Sequence, residues 1–242
     1  ITISKFSKRE IIKYLNINPE KIIVMPVGVD LTLYHPDYSK VDIDKVKGKY
    51  NIDSDYLLYL GTIEPRKNLE RLVEAYGLAK KQNENIPKLV MAGRKGWLYD
   101  SIFERVKSLD LTEDIIFTGY IDAKDAPILL CGALIFLFPS LYEGFGMPPL
   151  EAMACKTPVI VSSSSALPEV VKDAGEYVDP LDVKSIARAI DDLVKNEKKR
   201  SQLAEKGYKR AKNFTWKNSA KILQDVFQSL DGWPNEHNYW II

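Results

Sequence analysis

The stretch Leu134-Ile135-Phe136-Leu137-Phe138-Pro139-Ser140-Leu141-Tyr142-Glu143-Gly144-Phe145-Gly146-Met147-Pro148-Pro149-Leu150-Glu151-Ala152-Met153-Ala154 holds three local structures in succession. The apolar run 134–138 reads as a buried strand, the glycine-bearing segment as a loop, and 150–155 as a helix of strong helix formers. Open α/β sheets bind ligands at such strand-to-helix turns. Gly144 and Gly146 let backbone come close to a ligand, and unpaired N–H groups at a helix start favour anions. Glu143 and Glu151 add two carboxylates that can accept hydrogen bonds from hydroxyls.

The same strand–loop–helix unit recurs outward from this stretch. Strands are predicted at 56–60, 88–92, 115–118, 158–161 and around 177–178, and helices at 69–82, 99–109, 123–131 and 183–196. Short strands separated by helices of this length predict an α/β fold, a right-handed parallel sheet with helices on both faces. The C-terminal third reads as helices 197–212 and 216–230. They are broken at Asn213-Phe214-Thr215, where Thr215 serves as an N-cap rather than as part of a glycosylation sequon. At the other end, 1–4 reads as the end of a strand, Ser7-Lys8-Arg9-Glu10 as the start of an amphipathic helix, and 21–25 as a buried strand. Val27-Gly28-Val29-Asp30 is a turn-rich break before a polar stretch to Asp55, which places a domain boundary near Asp30. The tail 231–242 is aromatic and irregular and receives no assignment.

At 242 residues and 45% hydrophobic content the chain has ample material for a core. Lys+Arg 34 against Asp+Glu 33 leaves a charge of +1, which argues against nucleic acid as a partner. No apolar run reaches the roughly 18–20 residues of a spanning helix. Cys131 and Cys155 lie in apolar or helical surroundings and are expected as reduced, buried thiols, which fits a cytoplasmic protein. The start at Ile1 rather than Met leads us to expect further chain upstream.

Gly61-Thr62-Ile63-Glu64-Pro65-Arg66-Lys67-Asn68 directly follows the first core strand. Arg66 and Lys67 are placed at a helix start, where cations oppose the helix dipole unless an anion is present. A pyrophosphate there would receive charge-assisted hydrogen bonds; the alternative is solvated cations with Asn68 as a plain cap. Two further loops follow strands, Gly93-Arg94-Lys95-Gly96-Trp97 and Gly119-Tyr120-Ile121, where a base or sugar would lie across strand ends, or where each is a simple turn. Phosphate and polyhydroxyl recognition at one sheet edge point to a nucleotide sugar. Asp42-Ile43-Asp44 and Asp53-Ser54-Asp55 match an Asp-x-Asp metal pattern but precede a strand, and His35 and His237 lie in no motif, so no metal is expected.

Taken together, Gly61 to Asn68 and Glu143-x7-Glu151 closely resemble the retaining glycosyltransferases of group 1 (family 4), and the resemblance covers 1–230. It implies the GT-B fold, two Rossmann-like domains facing a cleft. Residues 31–230 would then be the C-terminal, nucleotide-sugar-binding domain, and 1–30 the remnant of the N-terminal acceptor domain with its link. The family's Asn-Gly-Val-Asp appears here as Val27-Gly28-Val29-Asp30.

Carried over residue by residue, the resemblance makes Lys67 a ligand of the donor diphosphate and Arg66 the second cation. Arg66 would compensate for Thr62, which stands where the family often has Arg. Glu151 would hold the ribose hydroxyls and Glu143 the transferred sugar. Gly144, Phe145, Gly146, Met147 and Leu150 would form the donor loop, and Gly93, Arg94, Tyr120 and Ile121 would lie near the base. The implied reaction moves a hexosyl group, mannosyl favoured, from a nucleotide sugar such as GDP-mannose to a glycan or lipid-linked acceptor. Retention would come from same-face substitution, with no cofactor or metal. The full protein is expected in the cytoplasm, with peripheral association at the inner face of the membrane, and this chain alone is expected to bind donor without transferring sugar. Two alternatives stand beside this reading: a GT-B sugar-nucleotide epimerase, and a non-catalytic nucleotide-sugar-binding module.

Overall fold

Strands buried on both faces must be covered by helices on both sides, and the four central strands of this chain are so buried. The computed structural model describes residues 1–97 and 99–230. Strands β1 (Tyr56–Leu60), β2 (Lys88–Ala92), β3 (Ile115–Gly119), β4 (Ile135–Phe138), β5 (Val159–Ser162) and β6 (Glu176–Val178) form one parallel sheet in the order β3-β2-β1-β4-β5-β6. The core strands β1, β2, β4 and β5 are apolar almost throughout, whereas the edge strands β3 and β6 are half-exposed. This is the doubly wound order, with its switch point between β1 and β4.

The helices are α1 (Lys5–Leu15), α2 (Lys40–Lys49), α3 (Leu69–Gln82), α4 (Asp100–Ser108), α5 (Ala126–Gly132), α6 (Met147–Ala154), α7 (Leu167–Val171), α8 (Val183–Lys195), α9 (Glu197–Ala211) and α10 (Trp216–Gln228). Right-handed crossovers place α3 and α4 on one face and α5, α6 and α7 on the other. The packing agrees: α3 lies against α4 and α8, and α6 against α5 and α9. Side-chain caps begin the later helices, with Asp182 accepting from the Lys184 N–H, Asn196 from Lys199 and Thr215 from Asn218. The Thr215 cap is as expected from the sequence.

Several expectations at the N-terminal end are corrected. Residues 21–25 are not a buried strand: Pro19–Lys21 is a 3-10 turn, Thr2 and Val24 share a single bridge, and Ile23 is exposed. The first helix starts at Lys5 and is capped by Ser4, three residues ahead of Ser7, the expected cap. The polar stretch before Asp55 contains α2, which buries only Val46 and so shows little apolar periodicity. Cys131 is half-buried and Cys155 buried, and both are free thiols. Among the described residues no helix is long and apolar enough to cross a membrane. The tail 231–242 lies outside the described residues.

Candidate donor site

Two loops rise from the carboxyl ends of β1 and β4, the adjacent strands at the switch point. The first contains a 3-10 turn, Pro65–Lys67, followed by Asn68 in the left-handed conformation (φ 62°), and only then α3. Arg66 and Lys67 therefore stand ahead of α3 rather than in its first turn, so their opposition to its dipole is weaker than expected. Nor are they merely solvated. Lys67 is buried, and its Nζ donates to Glu143 Oε1 at 2.7 Å while lying 4.8 Å from the Phe138 ring centroid. Arg66 Nη1 reaches the same oxygen at 2.9 Å and donates to the Tyr142 carbonyl at 2.8 Å, and Nη2 pairs with Glu64 at 2.7 Å. Burial disfavours the charged guanidinium, but Glu143 and Glu64 more than offset it and hold Arg66 above its ordinary pKa.

Glu143 is itself buried, and its Oε1 also accepts from Ser140 Oγ at 2.7 Å. One carboxylate oxygen thus gathers two cations and a hydroxyl from both loops. Leaving such a charge unpaired would cost several kcal/mol, so the cluster is held together as a unit. A ligand that displaces the carboxylate must itself be anionic.

Asn68 stands at the N-cap position of α3, but its side chain makes no capping bond. Its Nδ2 donates to the carbonyls of Pro139 (3.0 Å) and Pro180 (2.7 Å), tying the first loop to the second and to the loop after β6. The Leu141 N–H donates to the Arg66 carbonyl at 3.0 Å, a second tie. From below, Ser162 Oγ donates to the Ser140 carbonyl, Ser164 Oγ to Leu141, and Ser165 Oγ accepts from the Glu143 N–H. Sequence reasoning missed these serines, although the run Ser162 to Ser165 directly after a strand was a readable signal.

The helix after the second loop begins at Met147, not Leu150. Pro148 and Pro149 occupy its first turn, where the missing N–H is tolerated. They also remove two of the four donors a helix start normally presents, which leaves the Gly146 and Met147 amides free to meet an anion. Gly146 has φ 117°, and a Cβ there would lie 2.6 Å from Leu167 Cδ2. Phe145 and Leu150 are core residues, with Phe145 edge-on to Phe214 at 5.7 Å, so their side chains are structural. Gly144 and Met147 are half-buried.

Glu151 falls in the second turn of α6, half-buried, and does not join the Arg66–Lys67–Glu143 cluster. Burial raises its pKa, and the Tyr34 hydroxyl, unforeseen from the sequence, offsets part of that rise. Of the remaining expected residues, Thr62 is exposed and its carbonyl accepts from Tyr59 Oη. Gly93 packs so tightly that a Cβ would sit 1.9 Å from the Gly61 carbonyl oxygen. Arg94 lies over the exposed Tyr120 ring at 4.2 Å, whereas Ile121 is buried in the core and leaves only backbone for a ligand. Asp42 accepts from Ser39 at the start of α2 and Asp53 pairs with Lys88, and among the described residues no three His, Cys, Asp or Glu side chains gather as a metal cluster.

The chain is 36% identical over 231 residues to O-antigen chain mannosyltransferase B of Escherichia coli, covering 95% of this chain and 60% of that protein. It therefore spans less than two thirds of that relative's length. Among solved structures, sucrose-phosphate synthase of Thermosynechococcus elongatus superposes with a TM-score of 0.80 at 25% identity, over 94% of this chain and 57% of that one. The C-terminal domain of a glycosyl transferase group 1 family protein (LpcC) of Francisella tularensis gives 0.67 at 28% identity, over 77% and 97%. The family model described as "Glycosyl transferases group 1" matches residues 41–210, and the chain belongs to that family.

Proposed function

We propose that this chain binds the donor in a retaining hexosyltransferase, mannosyl favoured, that uses a nucleoside-diphosphate sugar. The observation that carries the reading is the convergence of Arg66 and Lys67 on one carboxylate oxygen of Glu143 at the switch point. The resemblance to a mannosyltransferase by name favours a mannosyl donor, with GDP-mannose first.

In this reading the donor diphosphate competes with Glu143 for the two cations. Exchange of one anionic partner for another keeps both cations compensated and frees Glu143 to accept from hydroxyls of the sugar. Glu151 and Tyr34 face the ribose, and Arg94 and Tyr120 the base. As the bond to the anomeric carbon breaks, negative charge grows on the leaving diphosphate, and Arg66 and Lys67 stabilise it more strongly than in the bound donor. The acceptor hydroxyl, of a glycan or lipid-linked saccharide, attacks from the same face and passes its proton to the leaving phosphate oxygen. Retention follows from that shared face, and no metal or cofactor enters the scheme.

Titration calorimetry with GDP-mannose, UDP-glucose and ADP-glucose tests this. GDP-mannose should bind tightest, and Lys67→Ala and Glu151→Gln should each weaken it by roughly ten- to a hundredfold, the worth of a charge-assisted hydrogen bond. Unchanged binding in either variant would sink that residue's assignment.

A further inference from the structure

The donor loop is gripped from outside the sheet as well as from within it. The carbonyl oxygen of Gly144 accepts from two hydroxyls of the first helical segment, Ser4 Oγ at 2.6 Å and Ser7 Oγ at 3.0 Å. Ser4 is fully buried although it belongs to the exposed N-terminal segment. The start of α1 is fixed in turn: Ser4 Oγ accepts from the Ser7 N–H, and the two oxygens of Glu169 accept from the N–H groups of Lys5 and Phe6 at 2.9 and 3.1 Å. Phe6 packs edge-on to Tyr142, whose hydroxyl donates to Glu10 at 3.0 Å. On the sheet side the two preceding peptides are pinned too, the Glu143 N–H donating to Ser165 Oγ at 3.0 Å and the Glu143 carbonyl accepting from the Ala166 N–H at 3.3 Å.

A trans peptide is planar, with C=O and N–H on opposite sides. Drawing the Gly144 carbonyl onto α1 therefore turns the Phe145 N–H to the other side of the loop. Phe145 is buried, yet among the described residues nothing accepts from that N–H. A backbone donor left without a partner in a buried residue is costly unless a ligand completes it.

We propose that Ser4 and Ser7 are positioning residues that aim the Phe145 N–H at a hydroxyl of the transferred sugar. This rests on the donor reading above and extends it: α1 sets the loop's grip on the sugar without touching the donor. The sugar rather than the diphosphate is assigned because Phe145 stands two residues after Glu143, the group read as the sugar's partner, whereas the cations read as the diphosphate's partners belong to the other loop.

The test compares each nucleotide sugar with its nucleoside diphosphate, using GDP-mannose and GDP, UDP-glucose and UDP, and ADP-glucose and ADP. For the pair that binds, the Ser4→Ala/Ser7→Ala double variant should lose roughly five- to tenfold in affinity for the nucleotide sugar, one neutral hydrogen bond, and change by less than about twofold for the diphosphate. Ser7→Ala alone should lose less in the same direction, and Ser7→Thr, which keeps the hydroxyl, should restore the parent value. Since Ser4 remains as the helix cap in Ser7→Ala, that variant decides the matter if the double variant fails to fold. Equal loss for both ligands, or no loss for either, would overturn the proposal while leaving the donor reading standing. Failure of the unsubstituted chain to bind any pair would overturn both.

Discussion

At the scale of single residues, the two glutamates eight apart in sequence stand in separate surroundings with separate electrostatics. Glu143 is compensated by Arg66, Lys67 and Ser140. Glu151 is not: burial holds its pKa above the ordinary carboxylate value, with partial relief from Tyr34. A raised carboxylate pKa means that the folded chain binds more protons than the unfolded chain between the two values. Stability contributed there is fully present below the unfolded pKa and is lost as pH rises through the folded one. Glu151→Gln removes that dependence. Its melting temperature should exceed the parent's at about pH 8 and the two should converge towards about pH 4, even as nucleotide binding weakens. Thermal unfolding across this range checks the sign, and a variant less stable than the parent at about pH 8 would show that the Tyr34 contact outweighs burial.

At the scale of elements, Asn68 shows how one side chain sets the distance between loops. Its amide donates to two carbonyls from different loops, and a carboxylate in its place would present negative charge to both. Asn68→Asp should cost about 2–4 kcal/mol in urea unfolding. Asn68→Gly, which suits the positive φ but loses the bonds, should cost about 1–3 kcal/mol. A parent-like Asn68→Asp would mean that the backbone conformation alone matters. Nothing in Arg66-Lys67-Asn68-Leu69 announces this, because the partners, Pro139 and Pro180, lie 71 and 112 residues away. The same holds for Lys67 and Glu143, each legible as a charged loop residue but not as a pair. Elements whose physics is local were legible: the core strands from apolar runs, α3 to its end residues, α8 and α9 to within a residue of each end, and the start of α10 from its Thr215 cap. Those that failed did so for physical reasons. Lys-rich α2 buries one residue, residues 21–25 are apolar but make one bridge, and α6 starts early because Pro148 and Pro149 fit a first turn.

At the scale of the whole molecule, the sheet supplies rigidity and the loops are bound to one another above it. Gly61 and Gly93 N–H groups continue the ladder beyond the strand ends, and Ile63 bridges to Lys95. The N-terminal segment is joined differently. No residue of α1 is fully buried, so its attachment rests on hydrogen bonds more than on apolar burial. Glu169 is the chief tie, and its own helix is anchored independently, since Arg210 of α9 donates to the carbonyls of Glu169 and Val170. Removing the Glu169 carboxylate should therefore release α1 without loosening α7. In Glu169→Ala, amide hydrogen exchange across residues 5–15 should accelerate by roughly ten- to a hundredfold, the loss of two charge-assisted bonds, while β1 and β4 amides keep the parent's rates. Glu169→Gln, with one acceptor oxygen instead of two, should fall between. Uniform acceleration through the sheet would instead show that α1 unfolds together with the core. Local release confined to α1 would show that the donor loop's outer grip can open while the sheet stays closed.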